Sequence, residues 1–183
     1  DRSVDRVLAT IEPDRLTVGH TLYDRLEAHP VVQTARIEEL PFPREFVIAC
    51  GVESLMPVQQ LAVEAGLLYG KDLLVVSATA SGKTFIGEMA GLKNYLEKRG
   101  RVLFLVPLVA LAYQKYERFS QKYGHLTDVS IITGASRILV KDNRRPANRN
   151  RNAGILVATY EGIDHLMRLG ESLTNIGTVI IDE

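Results

Sequence analysis

Ser77-Ala78-Thr79-Ala80-Ser81-Gly82-Lys83-Thr84 is the stretch on which the fold turns. An apolar run, residues 72–76, leads into it. Residues 84–98 follow, with Phe85, Ile86, Met89 and Leu96 near helical spacing and Gly100 as a stop signal. A tight loop between a strand and a helix aims several backbone N–H groups, and the positive end of the helix, at one point in space. A chain of phosphates suits that point. Gly82 lets the backbone approach closely, Lys83 neutralises the outer phosphates as the loop's catalytic cation, and the Thr84 hydroxyl can coordinate Mg²⁺. All eight residues, Thr79 included, are candidate nucleotide ligands. The general phosphate-loop pattern carries glycine where Ser77 stands, so this loop is a variant. Gly-Lys-Thr alone is a weak signal, and its setting between strand and helix makes it a strong one.

Further along the chain, short apolar runs recur at residues 102–106, 129–132, 155–158 and 179–181. Together with 72–76 they have the form of five strands buried on both faces. Helical stretches at 84–98, 108–123 and 161–169 lie between most of them. Strand, helix, strand repeated in this way predicts right-handed crossovers and an α/β fold, a mainly parallel sheet with helices on both faces. Asp182-Glu183 follows the last run. A magnesium–phosphate site needs an acid at the end of a second buried strand, and hydrolysis needs a group that orients water. Asp182 is the candidate metal ligand beside Thr84, and Glu183 the candidate catalytic base.

Upstream, Pro43 opens a short helix closed by Gly51, and Pro57 another closed by Gly70, proline first and glycine last as helix ends prefer. Residues 1–40 read as a helical extension, broken at Pro13 and Pro30, ahead of a main domain over 41–183. The sequence starts without Met or signal-peptide character and stops at the end of a strand, so a longer parent chain is expected. Lys+Arg and Asp+Glu both total 22, which predicts no bulk attraction to nucleic acid. The single cysteine, Cys50, excludes an internal disulfide framework and fits a reducing, intracellular setting. The longest apolar run, 102–112, is interrupted by Pro107 and is far short of the ~18–20 residues of a membrane span, so no membrane partner is expected.

The loop 78–84 closely resembles that of superfamily-two helicases of the DExH type, in the branch of the superkiller-like RNA helicases and the archaeal repair helicases. That branch usually has proline where Ala78 stands. The resemblance covers roughly residues 38–183 and implies the first of two RecA-like lobes of a phosphate-loop NTPase, with ATP and Mg²⁺ as cofactors. It implies RNA or DNA as the partner, and a second RecA-like lobe of the same parent that supplies an arginine finger. Leu55-Met56-Pro57-Val58-Gln59 resembles the segment whose glutamine reads adenine, so Gln59 is the candidate, with Gln60 as the fallback and Phe42 as a possible stacking ring. Pro107 to Ala112 is similar to the first nucleic-acid contact of the family, with Pro107 and Ala110 the candidates. Thr133-Gly134 matches the next, with Ala135 where an acid is usual. Thr159-Tyr160-Glu161-Gly162 resembles a third, carried by Thr159 and Glu161, with Gly162 in place of a lysine.

Residues 137–151 hold six basic side chains against one acid, Asp142, together with several asparagines. Such a stretch suits a solvated loop or a contact with a phosphate backbone. The residues leave three function classes open: an ATP-driven motor on nucleic acid, a phosphate-loop ATPase of another class such as a small-molecule kinase, and a nucleotide-binding module without turnover. A kinase needs a lid and an acceptor site, which are not evident. The contact motifs at Pro107, Thr133 and Thr159 favour the motor.

Overall fold

The computed structural model describes residues 34–78, 80–134, 150–171 and 173–182. Most of the expected extension 1–40, Thr79, Ala135, most of the basic stretch and Glu183 lie outside the described residues. Four parallel strands form one sheet: β1 (Arg101–Val106), β2 (Val129–Ile132), β3 (Ile155–Thr159) and β4 (Ile176–Ile181), in the order β2-β3-β1-β4. Five α-helices accompany them among the described residues. These are α1 (Arg44–Cys50), α2 (Pro57–Glu64), α3 (Lys83–Leu96), α4 (Val109–Tyr123) and α5 (Tyr160–Arg168). The parallel α/β sheet expected from the sequence is the one observed.

Side chains alternate across the sheet, as the twofold period of a strand requires. Val102, Phe104 and Val106 of β1 join Ile155, Val157, Val129 and Ile131 on the face covered by α3 and α4. Leu103, Leu156 and Ala158 turn to the other face, where Ile163 of α5 packs. Helices therefore cover both faces. Upstream, Ile37 is buried in the first core, and its segment hydrogen-bonds residues 53–55 (Ile37 N–H to Glu53 O, 2.9 Å; Leu55 N–H to Ala35 O, 3.0 Å). Cys50 is buried there too, packed as a small apolar side chain. No helix among the described residues is long and apolar enough to cross a membrane.

Two strand expectations need correction. Residues 72–76 form no strand among the described residues, because no neighbouring strand pairs with them. Leu73 and Val75 pack on the core, while Leu74 and Val76 are 93% and 67% exposed. The run is half-buried rather than buried on both faces. Among the described residues β4 likewise lies at the edge of the sheet, with Ile180 turned inward and Val179 and Ile181 exposed. An uninterrupted apolar run does not distinguish these cases from a central strand.

α3 lies close on β1 and β4 because its contact face is stripped of side chains. A Cβ on Gly87 would stand 2.8 Å from Ile180 Cγ2, and one on Gly91 would stand 2.7 Å from Val102 Cγ1. Next to Gly87, Glu88 is buried between α3 and α4. Its carboxylate accepts hydrogen bonds from Lys122 Nζ (2.7 Å), the Tyr123 hydroxyl (2.6 Å) and Arg118 Nη2 (3.2 Å). Burial, then the Glu88 charge and the hydrogen bond to it, hold the Tyr123 phenol far above its ordinary value of 10.0.

Two outcomes follow from this packing. Gly91→Val should cost about 2 kcal/mol in urea unfolding, because overpacking against Val102 outweighs the gain in helix propensity. Tyr123 gives a pH signature. A phenol whose folded pKa is raised contributes stability that is complete below pH ~10 and is lost as pH climbs, because the unfolded chain ionises first. Between pH 10 and 11 the stability of the wild type should fall by about 1 kcal/mol more than that of Tyr123→Phe. Equal slopes would deny Tyr123 its buried, protonated state.

Candidate nucleotide site

The loop from Ser77 to Gly82 enters α3 through Gly82, whose φ of +85° is left-handed. A side chain is excluded there twice over, since a Cβ would also stand 2.4 Å from Gln59 Nε2. Gln59 sits under the loop, 4% exposed, and donates to Gly82 O at 3.1 Å while its Oε1 accepts from the Met56 N–H at 2.8 Å. The side chain expected to read adenine thus ties the start of α2 to the loop. Gln60 is engaged as well, bonding Ala35 N–H and Glu64, and Phe42 packs against the core, its ring tilted 43° to that of Phe46 at 4.9 Å. The loop is closed on itself by the hydroxyls of Ser77 and Ser81, 2.6 Å apart. Lys83 Nζ folds back over it and donates to Ser77 O (2.8 Å) and Ala78 O (2.7 Å). Ala80 takes a left-handed φ of +60°, a conformation most residues avoid.

Thr84, Gly87 and Gly91 fall at i, i+3 and i+7 of α3 and so share one face. The face that the glycines press on β4 also carries Thr84 towards the end of that strand. Asp182 is fixed there by its N–H, which donates to Leu105 O at 3.0 Å and continues the ladder with β1. Thr84 Oγ1 lies 3.2 Å from Asp182 Oδ2. A third group meets them. Lys115 Nζ of α4 is 2.6 Å from Asp182 Oδ2 and 3.0 Å from Thr84 Oγ1, with the Phe104 ring 5.3 Å away.

Lys115 was missed by the sequence reading, although a signal exists. Ala112, Lys115, Phe119 and Tyr123 are spaced three, four and four residues apart, so the lysine interrupts the apolar stripe of an amphipathic helix. A charge in such a stripe needs a buried partner. Among the described residues no group of three His, Cys, Asp or Glu side chains gathers. A hydroxyl and one carboxylate nevertheless fit Mg²⁺, which is bound through one or two carboxylates and takes further oxygens from phosphates and water.

The DEAD/DEAH box helicase family model matches residues 56–183, a span that holds the loop, Thr84 and Asp182. The chain belongs to that family. It is 49% identical, over 83% of its length, to a probable ATP-dependent helicase of Methanocaldococcus jannaschii. It is 40% identical over 80% of its length to the ATP-dependent DNA helicase Hel308 of Caldivirga maquilingensis, and 39% identical over 81% to that of Methanocella arvoryzae. The chain spans about a fifth of the length of each of these relatives: 19%, 19% and 20%.

Parallel strands end on one rim, and in this DEAD/DEAH box chain the rim collects the other expected residues. Pro107 and Ala110, both exposed, flank the junction of β1 and α4. Thr133 and Gly134 follow β2, and a Cβ on Gly134 would stand 3.3 Å from Glu161 Cβ. Thr159 is buried and caps α5, its hydroxyl accepting from Gly162 N–H at 3.1 Å, while Glu161 is exposed. Gly162 packs so closely that a Cβ would stand 2.7 Å from Ile132 O, which accounts for glycine there in place of the lysine of the resembling branch. Gln59→Ala should cost roughly 1–3 kcal/mol in urea unfolding, since it strips partners from Gly82 O and Met56 N–H. A neutral change would show that the tie carries no load.

Proposed function

We propose that this chain is the ATP-binding lobe of a DNA-translocating motor that hydrolyses ATP in a cleft closed by a second lobe of the same protein. The observation that carries this reading is the meeting of Thr84 and Asp182 at 3.2 Å, beside the turn that begins α3. The backbone N–H groups of residues 80–84 and the α3 N-terminus offer positive potential to the β- and γ-phosphates of ATP. Lys83 exchanges its two loop carbonyls for phosphate oxygens. Thr84 and Asp182 would hold Mg²⁺, which when bound draws off charge developing on the γ-phosphoryl group. Glu183, the next residue, orients the attacking water and takes its proton, so that ATP and water give ADP and phosphate. Gln59 sets the loop in place and is the proposed adenine reader.

Similarity to proteins named DNA helicases supports DNA over RNA as the track. The proposed contacts are the rim residues Pro107, Ala110, Thr133, Gly134, Thr159 and Glu161. At the first of them the N–H groups that open α4 suit a backbone phosphate. Glu161 has the sign of a phosphate and so would reach a base edge instead.

In the full-length protein, Lys83→Ala should abolish most ATP binding and all DNA-stimulated hydrolysis while leaving the circular dichroism spectrum unchanged. Residues 1–183 alone should turn over ATP negligibly, because an arginine from a facing lobe contributes on the order of 10³–10⁵ in rate. Undiminished ATP binding by folded Lys83→Ala protein would overturn the site. Turnover by residues 1–183 at the full-length rate would overturn the two-lobe model.

A further inference from the structure

Two lysines of α4, Lys115 and Lys122, stand seven residues apart on one face and meet two positions of α3, Thr84 and Glu88, one turn apart. The two meetings differ in kind. The Glu88 carboxylate is 1% exposed and holds Lys122, Arg118 and the Tyr123 hydroxyl together. Removing its cations would strand a buried charge. Asp182 lies at the rim beside the nucleotide loop. Its Oδ2 takes both Thr84 Oγ1 and Lys115 Nζ, and the pair keeps 15% and 13% exposure at Lys115 and Asp182. The Lys115 ammonium also lies 5.3 Å from the Phe104 ring centroid, at the end of a flexible four-carbon stem that lets the head swing away.

We infer that Lys115 is an exchangeable internal counter-ion of the metal site, holding Asp182 and Thr84 until a divalent cation displaces it. The inference rests on the proposed reading of Thr84 and Asp182 as the metal's ligands. The ammonium lies 2.6 Å and 3.0 Å from those two oxygens, so a second cation on the same pair would be in direct electrostatic conflict with it. Occupancy by one excludes occupancy by the other. Lys115 therefore sets the apparent metal affinity of the site, and metal binding unties α4 from β4 at this level while the Glu88 tie persists.

The test is a titration of the full-length protein with Mn²⁺ in the presence of a non-hydrolysable ATP analogue, with free Mn²⁺ read by electron paramagnetic resonance. Lys115→Met should tighten Mn²⁺ binding roughly ten-fold, the equivalent of one charge-assisted hydrogen bond. Lys115→Arg, which keeps the charge, should stay near wild type. Lys115→Gln removes the charge but keeps a donor, and should tighten binding likewise should the apolar variant fail to fold. Unchanged or weaker Mn²⁺ binding in both uncharged variants would overturn the inference. Asp182→Asn separates the two levels. If it weakens Mn²⁺ binding while the Lys115 variants change nothing, the metal site stands and the counter-ion falls; if it has no effect, both fall.

Discussion

The close approach of α3 to β1 and β4 is the constraint on which the site depends. Gly87 and Gly91 let the helix sink to where Ile180 and Val102 would touch any added Cβ. Interiors are packed too densely for that distance to drift, so the helix has little freedom to roll or slide. Thr84 lies on the same face and is delivered to Asp182 by the same contact. The turn into α3 is fixed separately, by a left-handed Gly82 wedged on Gln59. A geometry that brings together residues 98 positions apart therefore rests on apolar packing and a buried amide.

A second set of ties governs α4. Charged side chains tie it to its neighbours: Glu88 gathers Lys122, Arg118 and Tyr123, and Asp182 gathers Lys115. Buried ion pairs stabilise weakly against an apolar alternative but are costly to break. Lys122 stacked near the Phe85 and Tyr123 rings, at 4.9 and 5.0 Å, is partly compensated for lost hydration.

Much of this was legible in the sequence, and what was not has physical reasons. Helical periodicity and glycine stops located α3, α4 and α5 to within a few residues, because the amphipathic pattern and the caps report on one element alone. Alternation of strands and helices gave the parallel sheet for the same reason. Residues 72–76 and β4 were read as doubly buried because Val, Leu and Ile runs carry no information on how many neighbours a strand has; pairing is a property of the sheet. The glycines at 87 and 91 announce close packing, yet only the structure names Ile180 and Val102 as what they meet. Lys115 and Glu88 were overlooked because the periodicity was counted from its apolar members, and the charged residues breaking the stripe were passed over.

Those interruptions carry more functional information than the stripe itself. An apolar residue at position 115 would fill its place in α4 and say nothing about β4. A lysine there demands a carboxylate, and the one it finds is the acid at the end of the last strand. Lys115 lies six residues from Val109, roughly 9 Å along the helix axis. The same rigid element thus begins at the rim beside Pro107 and ends its first two turns on Asp182. A short helix cannot move at one of these points without moving at the other. Nucleotide loop and rim are joined through α4, and the join is made by Lys115, the cation proposed to yield to a metal ion.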